Sequence, residues 1–151
     1  MNKFEETIAF IRSLYLNESP VPLHAPKFLG NEKEYLVNCV DTTFVSYLGK
    51  YVTEFEEHIK QVSGVRNAVA IVNGTTALQI ALIASGVLPG DEVITQALTF
   101  AATAAAIKHA NAEPAFIDVD RETLGMSPES LLGYLSKNAI SKPDGTYNKV
   151  T

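Results

Sequence analysis

The stretch from Ala68 to Ala84, AVAIVNGTTALQIALIA, constrains the fold of this chain more than any other. The pattern predicts a short apolar strand over Ala68 to Val72, followed at once by a helix that begins at about Thr75. Asn73 is a favoured helix N-cap, and Gly74 lacks a Cβ, so another group can approach the backbone closely. The stretch therefore predicts a strand, a tight corner and a capped helix in direct succession.

The start of this helix is a candidate anion site. Its first backbone N–H groups have no partner within the helix and lie at the positive end of the helix dipole. Thr75 and Thr76 add two hydroxyl groups. We therefore predict that Gly74, Thr75 and Thr76 hold a phosphate group. Many α/β proteins turn a corner in this way without any ligand, so the motif alone leaves that alternative open.

The rest of the chain shows clear hydrophobic periodicity. It predicts helices over residues 3–16, 31–40 and 52–62, with a proline-rich arm over 19–26, a capping box at Asn31 and Glu34, and a helix end at Gly64. Further along, strands are predicted over 92–95 and 115–119, helices over 101–110 and 128–137, and a polar, turn-rich end from Ser141. Three strands, each followed by a helix, predict an α/β fold with a three-layer, mostly parallel sheet flanked by helices.

Ligands bind beyond the carboxyl ends of the strands in such sheets. This edge is predicted to carry the 74–76 corner, Phe100 and the segment Asp118 to Asp120. Phe100 can stack on a flat ligand ring, although an aromatic residue at a helix start is also commonly a core residue. We predict that Asp118 and Asp120 hold no metal, and that Asp120 caps the following turn.

Composition narrows the possible partners. The formal charge is −5, and the lysines and arginines are scattered singly, which argues against a nucleic acid partner. No signal core is present and no run approaches the roughly 18 apolar residues of a membrane span, so we predict a soluble, cytoplasmic protein without a membrane partner. The single Cys39 is predicted to be a buried thiol. His58 has no second ligand at metal-binding spacing, and no metal is predicted.

Residues Gly49 to Asp120 carry a family resemblance. Four features occur in order: the strand with its NGTTAL corner, the PGDEVI turn and strand, the LTF segment with its Ala/Thr-rich helix, and the AFIDVD strand. This set resembles the N-terminal part of the DegT/StrS-type sugar aminotransferases, which are pyridoxal-phosphate enzymes of fold type I. The resemblance extends over about Thr43 to Leu135. It implies that residues 51–151 form the N-terminal portion of a cofactor-binding large domain, preceded by helices and a loop arm over residues 1–50.

The resemblance also implies roles for the site. Gly74, Thr75 and Thr76 would bind the phosphate of pyridoxal or pyridoxamine 5′-phosphate, and Phe100 would stack on the pyridine ring. The reaction implied is amino transfer from an amino-acid donor, commonly glutamate, to a nucleotide-linked keto sugar. The opening helix and arm resemble the subgroup that acts on UDP-linked keto-deoxy N-acetylated sugars, in pathways that make surface polysaccharides or glycans. Some relatives have histidine in place of lysine and act as dehydratases.

The catalytic lysine is the main departure. In the family the Schiff-base lysine lies beyond the position of Thr151, and none of the lysines here follows the later strands: Lys3, Lys27, Lys33, Lys50, Lys60, Lys108, Lys137, Lys142 and Lys149. We therefore expect a part of a longer enzyme, inactive alone, whose uncovered strand edges favour a homodimer. The alternative is a non-catalytic nucleotide-binding or structural α/β domain, although no glycine-rich nucleotide motif is present.

Overall fold

The computed structural model describes residues 3–15, 20–22 and 24–150. Contacts group the chain into two compact units, Met1–Ala68 and Val69–Thr151. Residue 16 of the first predicted helix, and residues 19 and 23 of the proline-rich arm, lie outside the described residues. The functional division at residues 50 and 51 stays a prediction.

Among its described residues, the first unit contains three helices: α1 (Lys3–Leu14), α2 (Glu32–Asp41) and α3 (Lys50–Ser63). Their predicted positions are confirmed, and α3 ends at Gly64, whose φ of 71° is the left-handed conformation that glycine adopts readily. The predicted capping box is wrong in its contacts. Asn31 stands at the N-cap of α2 without a side-chain cap bond, because its backbone angles, φ −93° and ψ 17°, are not the extended ones of a capping residue; separately, the Glu32 carboxylate accepts from the Gly30 N–H. Cys39 is half-buried rather than buried.

The second unit contains α4 (Gly74–Ala84), β1 (Glu92–Gln96), α5 (Ala101–His109), β2 (Glu113–Ile117), α6 (Pro128–Asn138), β3 (Ala139–Lys142) and β4 (Gly145–Asn148). β1 and β2 pair in parallel with Glu92 opposite Glu113, and α5 is the crossover that a parallel pair requires. β3 and β4 form an antiparallel hairpin. The helices and the parallel strands confirm the predicted α/β class.

The core of this unit lies where α5 covers the parallel strands. Its buried apolar residues are Ala106, Ile107, Ala110, Ala112 and Ile117. Three of the five are alanines, whose small side chains let the helix approach the strands closely. α5 ends at His109 with Ala110 as its C-cap, and Asn111, which follows with a φ of 59°, turns the chain toward β2.

Three predictions for this unit are wrong. Ala68 to Val72 forms no strand, because the segment lies outside both described sheets. Val69 and Val72 are 76% and 88% exposed. β2 begins two residues earlier than predicted, because Glu113 pairs with the first residue of β1. The polar end is an ordered hairpin rather than a turn-rich coil.

Candidate functional site

The corner before α4 forms as predicted. Asn73 has extended backbone angles, and its side-chain Oδ1 accepts from the Thr76 N–H at 2.9 Å. Its backbone carbonyl accepts from the Ala77 N–H at 3.0 Å, which is the first hydrogen bond of the helix. Asn73 therefore satisfies one free donor of the helix start and fixes the direction in which α4 begins.

Two donors at this corner stay available. Among the described residues, no acceptor pairs with the backbone N–H of Gly74 or of Thr75. A Cβ placed on Gly74 would meet nothing within 4 Å, so the space beside the backbone is open. The eleven-residue helix directs its positive dipole end to this space. The geometry provides two N–H donors and an approach path for an anion.

The Phe100 side chain is free to meet a ligand. Phe100 occupies the N-cap position of α5, and its ring is 83% exposed. The structure therefore contradicts the alternative that this ring is a core aromatic. The hydroxyls of Thr99 and Thr103 bond to each other at 2.9 Å across the helix start, so the segment around the ring is held locally.

Asp120 organises the turn after β2. Its Oδ1 accepts from the Glu122 N–H at 3.1 Å, the Thr123 N–H at 2.8 Å and the Thr123 hydroxyl at 2.9 Å. These bonds, with that of the Thr123 backbone first, lower the pKa of the Asp120 carboxyl. The predicted turn-capping role is confirmed. Within the described residues, no group of three or more His, Cys, Asp or Glu side chains is arranged to hold a metal ion.

The structure brings together part of the predicted ligand-binding edge at the carboxyl ends of the strands. Gln96 and Ile117 are partners at the carboxyl ends of β1 and β2, so the Phe100 and Asp120 segments leave the same edge of the sheet. Within the described residues, no hydrogen bond joins Asn73, Gly74, Thr75 or Thr76 to that edge. The corner before α4 and the exposed Phe100 ring are each formed, while phosphate binding at the corner and the convergence of the two on one ligand stay predictions.

Sequence reasoning missed a polar cluster at the opposite end of β1. The Glu92 carboxylate accepts from the Tyr134 hydroxyl at 3.1 Å and from the Asn148 amide at 2.8 and 2.9 Å. Burial, followed by the bond to the Glu92 carboxylate, raises the pKa of Tyr134. A cleft of about 550 Å³ opens beside this cluster and contains none of the predicted site residues. The pairing depends on the hairpin, which the sequence reading did not predict.

Known proteins are similar to this chain in sequence and in structure. A GDP-perosamine synthase of Caulobacter vibrioides is 40% identical over 111 residues, which cover 74% of this chain and 30% of the relative. A UDP-2-acetamido-2-deoxy-3-oxo-D-glucuronate aminotransferase of Pseudomonas aeruginosa is 42% identical over 84 residues, covering 56% of this chain and 23% of the relative. The chain spans about 30% or less of the length of these curated relatives.

Solved structures that match this chain include aminotransferases as well. The X-ray structure of an aminotransferase from Psychrobacter cryohalolentis matches with a TM-score of 0.66 and 32% identity, over 74% of this chain and 29% of that one. The structure of NtdA from Bacillus subtilis, with bound cofactor PMP, matches with a TM-score of 0.60 and 26% identity, over 77% of this chain and 29% of that one.

The fold and its neighbours define the class, which is a partial α/β large domain of the fold type I, pyridoxal-phosphate-dependent aminotransferases. The DegT/DnrJ/EryC1/StrS aminotransferase family model matches residues 27–138, and the chain belongs to this family. The resemblance inferred from the ordered motifs is thereby confirmed. None of the described helices combines the length and the apolar character that crossing a membrane requires.

Proposed function

We propose that this chain is the cofactor-phosphate-binding portion of a sugar-nucleotide aminotransferase. The observation that supports this most directly is the corner at α4, where Gly74 and Thr75 offer unpaired N–H donors beside open space. A phosphate ester carries the negative charge and the acceptor oxygens that such a corner binds. The family to which the chain belongs makes pyridoxal or pyridoxamine 5′-phosphate the ester to expect.

Each proposed site residue has a defined task. The Gly74 and Thr75 N–H groups would donate to phosphate oxygens, and the Thr75 and Thr76 hydroxyls would supply further donors. The exposed Phe100 ring would cover one face of the pyridine. When bound, the cofactor supplies a carbonyl that takes an amino group from one substrate and an amine that delivers it to another. These residues of the chain hold and orient the cofactor.

The proposed reaction has glutamate as donor and a nucleotide-linked keto sugar as acceptor. We propose a UDP-linked 4-keto-6-deoxy N-acetylated sugar, and the named function of the Pseudomonas aeruginosa relative supports a UDP-linked substrate. The Caulobacter relative is named for a GDP-linked sugar, so GDP sugars are the comparison to include. Because none of the nine lysines lies where the family has its Schiff-base lysine, the proposal for residues 1–151 is cofactor binding rather than turnover.

We also propose a homodimer in the cytoplasm. The exposed edges of the β1–β2 pair favour pairing with a second copy. Cys39 is free, so the chain requires no oxidising compartment. Sedimentation that gives a monomer at every concentration tested would refute the dimer.

The test is a titration with pyridoxamine 5′-phosphate, followed by ring absorbance. The amine form is preferred because pyridoxal phosphate also reacts with surface lysines. Gly74→Val fills the open space, and Phe100→Ala removes the ring, so each is expected to weaken binding about tenfold or more. Inorganic phosphate should compete with the cofactor for the wild-type site.

Matched controls separate binding from folding. Gly133 lies within α6, and a Cβ there also meets nothing within 4 Å, so Gly133→Val repeats the glycine change away from the site. Phe28 is an exposed phenylalanine in the first unit, and Phe28→Ala repeats the aromatic loss. Both controls are expected to bind as wild type does. Equal weakening by Gly133→Val and Gly74→Val, or wild-type binding by Gly74→Val, would overturn the proposal.

A further inference from the structure

The Gln96 side chain bridges two loops at the carboxyl end of β1. Its Nε2 donates to the Leu98 carbonyl at 2.6 Å and to the Leu124 carbonyl at 3.4 Å. Only the amide nitrogen can face two carbonyl oxygens, because the amide oxygen would be repelled by both. The chemistry of the two acceptors therefore fixes the orientation of this amide.

One of these acceptors belongs to the segment that carries Phe100. The ring is 83% exposed, so packing does not hold it. The backbone bonds of the segment join the Thr99 N–H to the Ala97 carbonyl at 3.0 Å and the Ala97 N–H to the Ile117 carbonyl, at the end of β2, at 3.4 Å. Within the described residues, Gln96 supplies the side-chain bond that connects the segment before Phe100 to the turn after β2.

The other acceptor belongs to a rigid turn. The Asp120 carboxylate binds Thr123 through the backbone and the hydroxyl, and the Asp120 N–H donates to the Gly125 carbonyl at 2.8 Å. The Leu124 N–H donates to the Asp120 carbonyl at 2.9 Å, and Leu124 takes a φ of 58°. The hydrogen bonds of Leu124 itself and of Gly125, the residue after it, therefore fix the position of the Leu124 carbonyl.

We propose that Gln96 is a positioning residue that holds the Phe100 ring in the orientation needed to cover a bound pyridine. It does so by connecting the segment before the ring to the turn built on Asp120. The inference rests on the proposed function for the role of the ring, while the positioning itself is a property of the free protein. The two parts can therefore be tested separately.

The first experiment measures the ring without any ligand. 4-Fluorophenylalanine is placed at position 100, and its ¹⁹F spectrum is recorded in wild type, Gln96→Leu and Gln96→Lys. Wild type is expected to give one sharp resonance, and Gln96→Leu several resonances or a line about twice as broad, since both bonds are lost. Lysine can donate to both carbonyls and is expected to restore the wild-type spectrum.

The second experiment measures pyridoxamine 5′-phosphate and inorganic phosphate affinity in the same variants. Gln96→Leu is expected to weaken pyridoxamine phosphate binding about fivefold and to leave phosphate affinity unchanged, and Gln96→Lys is expected to recover it. Asn148→Leu removes another amide that bridges elements, at the opposite end of β1, and serves as the control for general destabilisation.

The outcomes are distinct. Unchanged fluorine spectra in Gln96→Leu would overturn the positioning role, whatever the cofactor titrations show. Equal loss of affinity for both ligands, or an equal loss in Asn148→Leu, would overturn it in favour of a general structural effect. If wild type binds neither ligand, the cofactor proposal fails, and the fluorine spectra still decide whether Gln96 orients Phe100.

Discussion

Replacing Asn73 with Asp separates two roles of the corner before α4. The Asp carboxylate can still accept from the Thr76 N–H, which Asn73 does at 2.9 Å, so the cap is kept. A negative charge at a helix start also favours the dipole, by about 0.3 to 1 kcal/mol at an exposed position such as this one. Asn73→Asp is therefore expected to be as stable as wild type or more stable.

The same change acts against a bound phosphate. A phosphate that accepts from the Gly74 and Thr75 N–H groups would lie roughly 6 Å from the new carboxylate, because hydrogen bonds at the corner span about 3 Å each. In an exposed setting, two unit charges at about 6 Å interact by about 0.7 kcal/mol, so a phosphate dianion is opposed by about 1.4 kcal/mol. This corresponds to about tenfold weaker binding.

Asn73→Ala provides the opposite pattern. It removes the cap bond and is expected to cost about 1 kcal/mol of stability, while adding no charge. Urea unfolding followed by circular dichroism measures the first effect, and titration with pyridoxamine phosphate at low and high salt measures the second. The weakening in Asn73→Asp is expected to shrink at high salt. Wild-type affinity in Asn73→Asp at low salt would refute the placement of the phosphate at α4.

Three further predictions concern stability. Because the pKa of Asp120 is lowered in the folded protein, its contribution to folding stability is present above the ordinary pKa of 3.8 and is lost as pH falls through the folded pKa. Lowering the pH from 6 to 3 is therefore expected to reduce the Tm of wild type more than that of Asp120→Asn. Parallel plots of Tm against pH for the two proteins would contradict this. Gly64→Ala places a side chain on a residue with a φ of 71° and is expected to lower the free energy of unfolding by about 1 kcal/mol. Gly133→Ala, within α6, is expected to raise it by about 0.5 to 1 kcal/mol. Urea midpoints measure both changes, and stability changes of the same sign would contradict the reasoning. Ile107→Ala, at a position only 2% exposed, is expected to cost about 2 to 4 kcal/mol, and a change below about 0.5 kcal/mol would mean that this core carries little stability.

Helix ends were the features most readily predicted, because their signals are local. Asn73 accepts from the backbone N–H three residues on, and Gly64 takes the left-handed conformation expected at a helix end. Each of these residues acts within one turn of its own helix. The sequence alone is therefore sufficient to identify them.

Strands were less predictable, because they depend on partners distant in sequence. Ala68 to Val72 has the composition of a strand and yet belongs to neither described sheet. Conversely, the hairpin carried a usable signal in Pro143 and Asp144, the two residues of its turn, which were predicted only as part of a polar, turn-rich end. Composition indicated the tendency of each segment, and pairing decided the outcome.

The site residues show the same difference between features set by near neighbours and features set by distant partners. The corner at Gly74 is built by neighbouring residues and was predicted in detail, and the exposure of Phe100 was left open between two readings. The bridge from Gln96 to the Asp120 turn was missed, because its two acceptors are backbone carbonyls of Leu98 and Leu124. A bond from a side chain to a backbone carbonyl 28 residues away leaves no motif in the sequence.

The hairpin after α6 has a consequence for the order in which this region folds. Lys149 donates to the Ser136 and Lys137 carbonyls at the end of α6, so residues 127–150 form a helix and hairpin whose bonds join near neighbours. Local contacts form quickly, because little chain entropy is lost in closing short loops. The bond from Asn148 to Glu92 spans 56 residues and closes a far longer loop. We expect α6 and the β3–β4 hairpin to assemble first and to pack against β1 afterwards, when Asn148 donates to the Glu92 carboxylate.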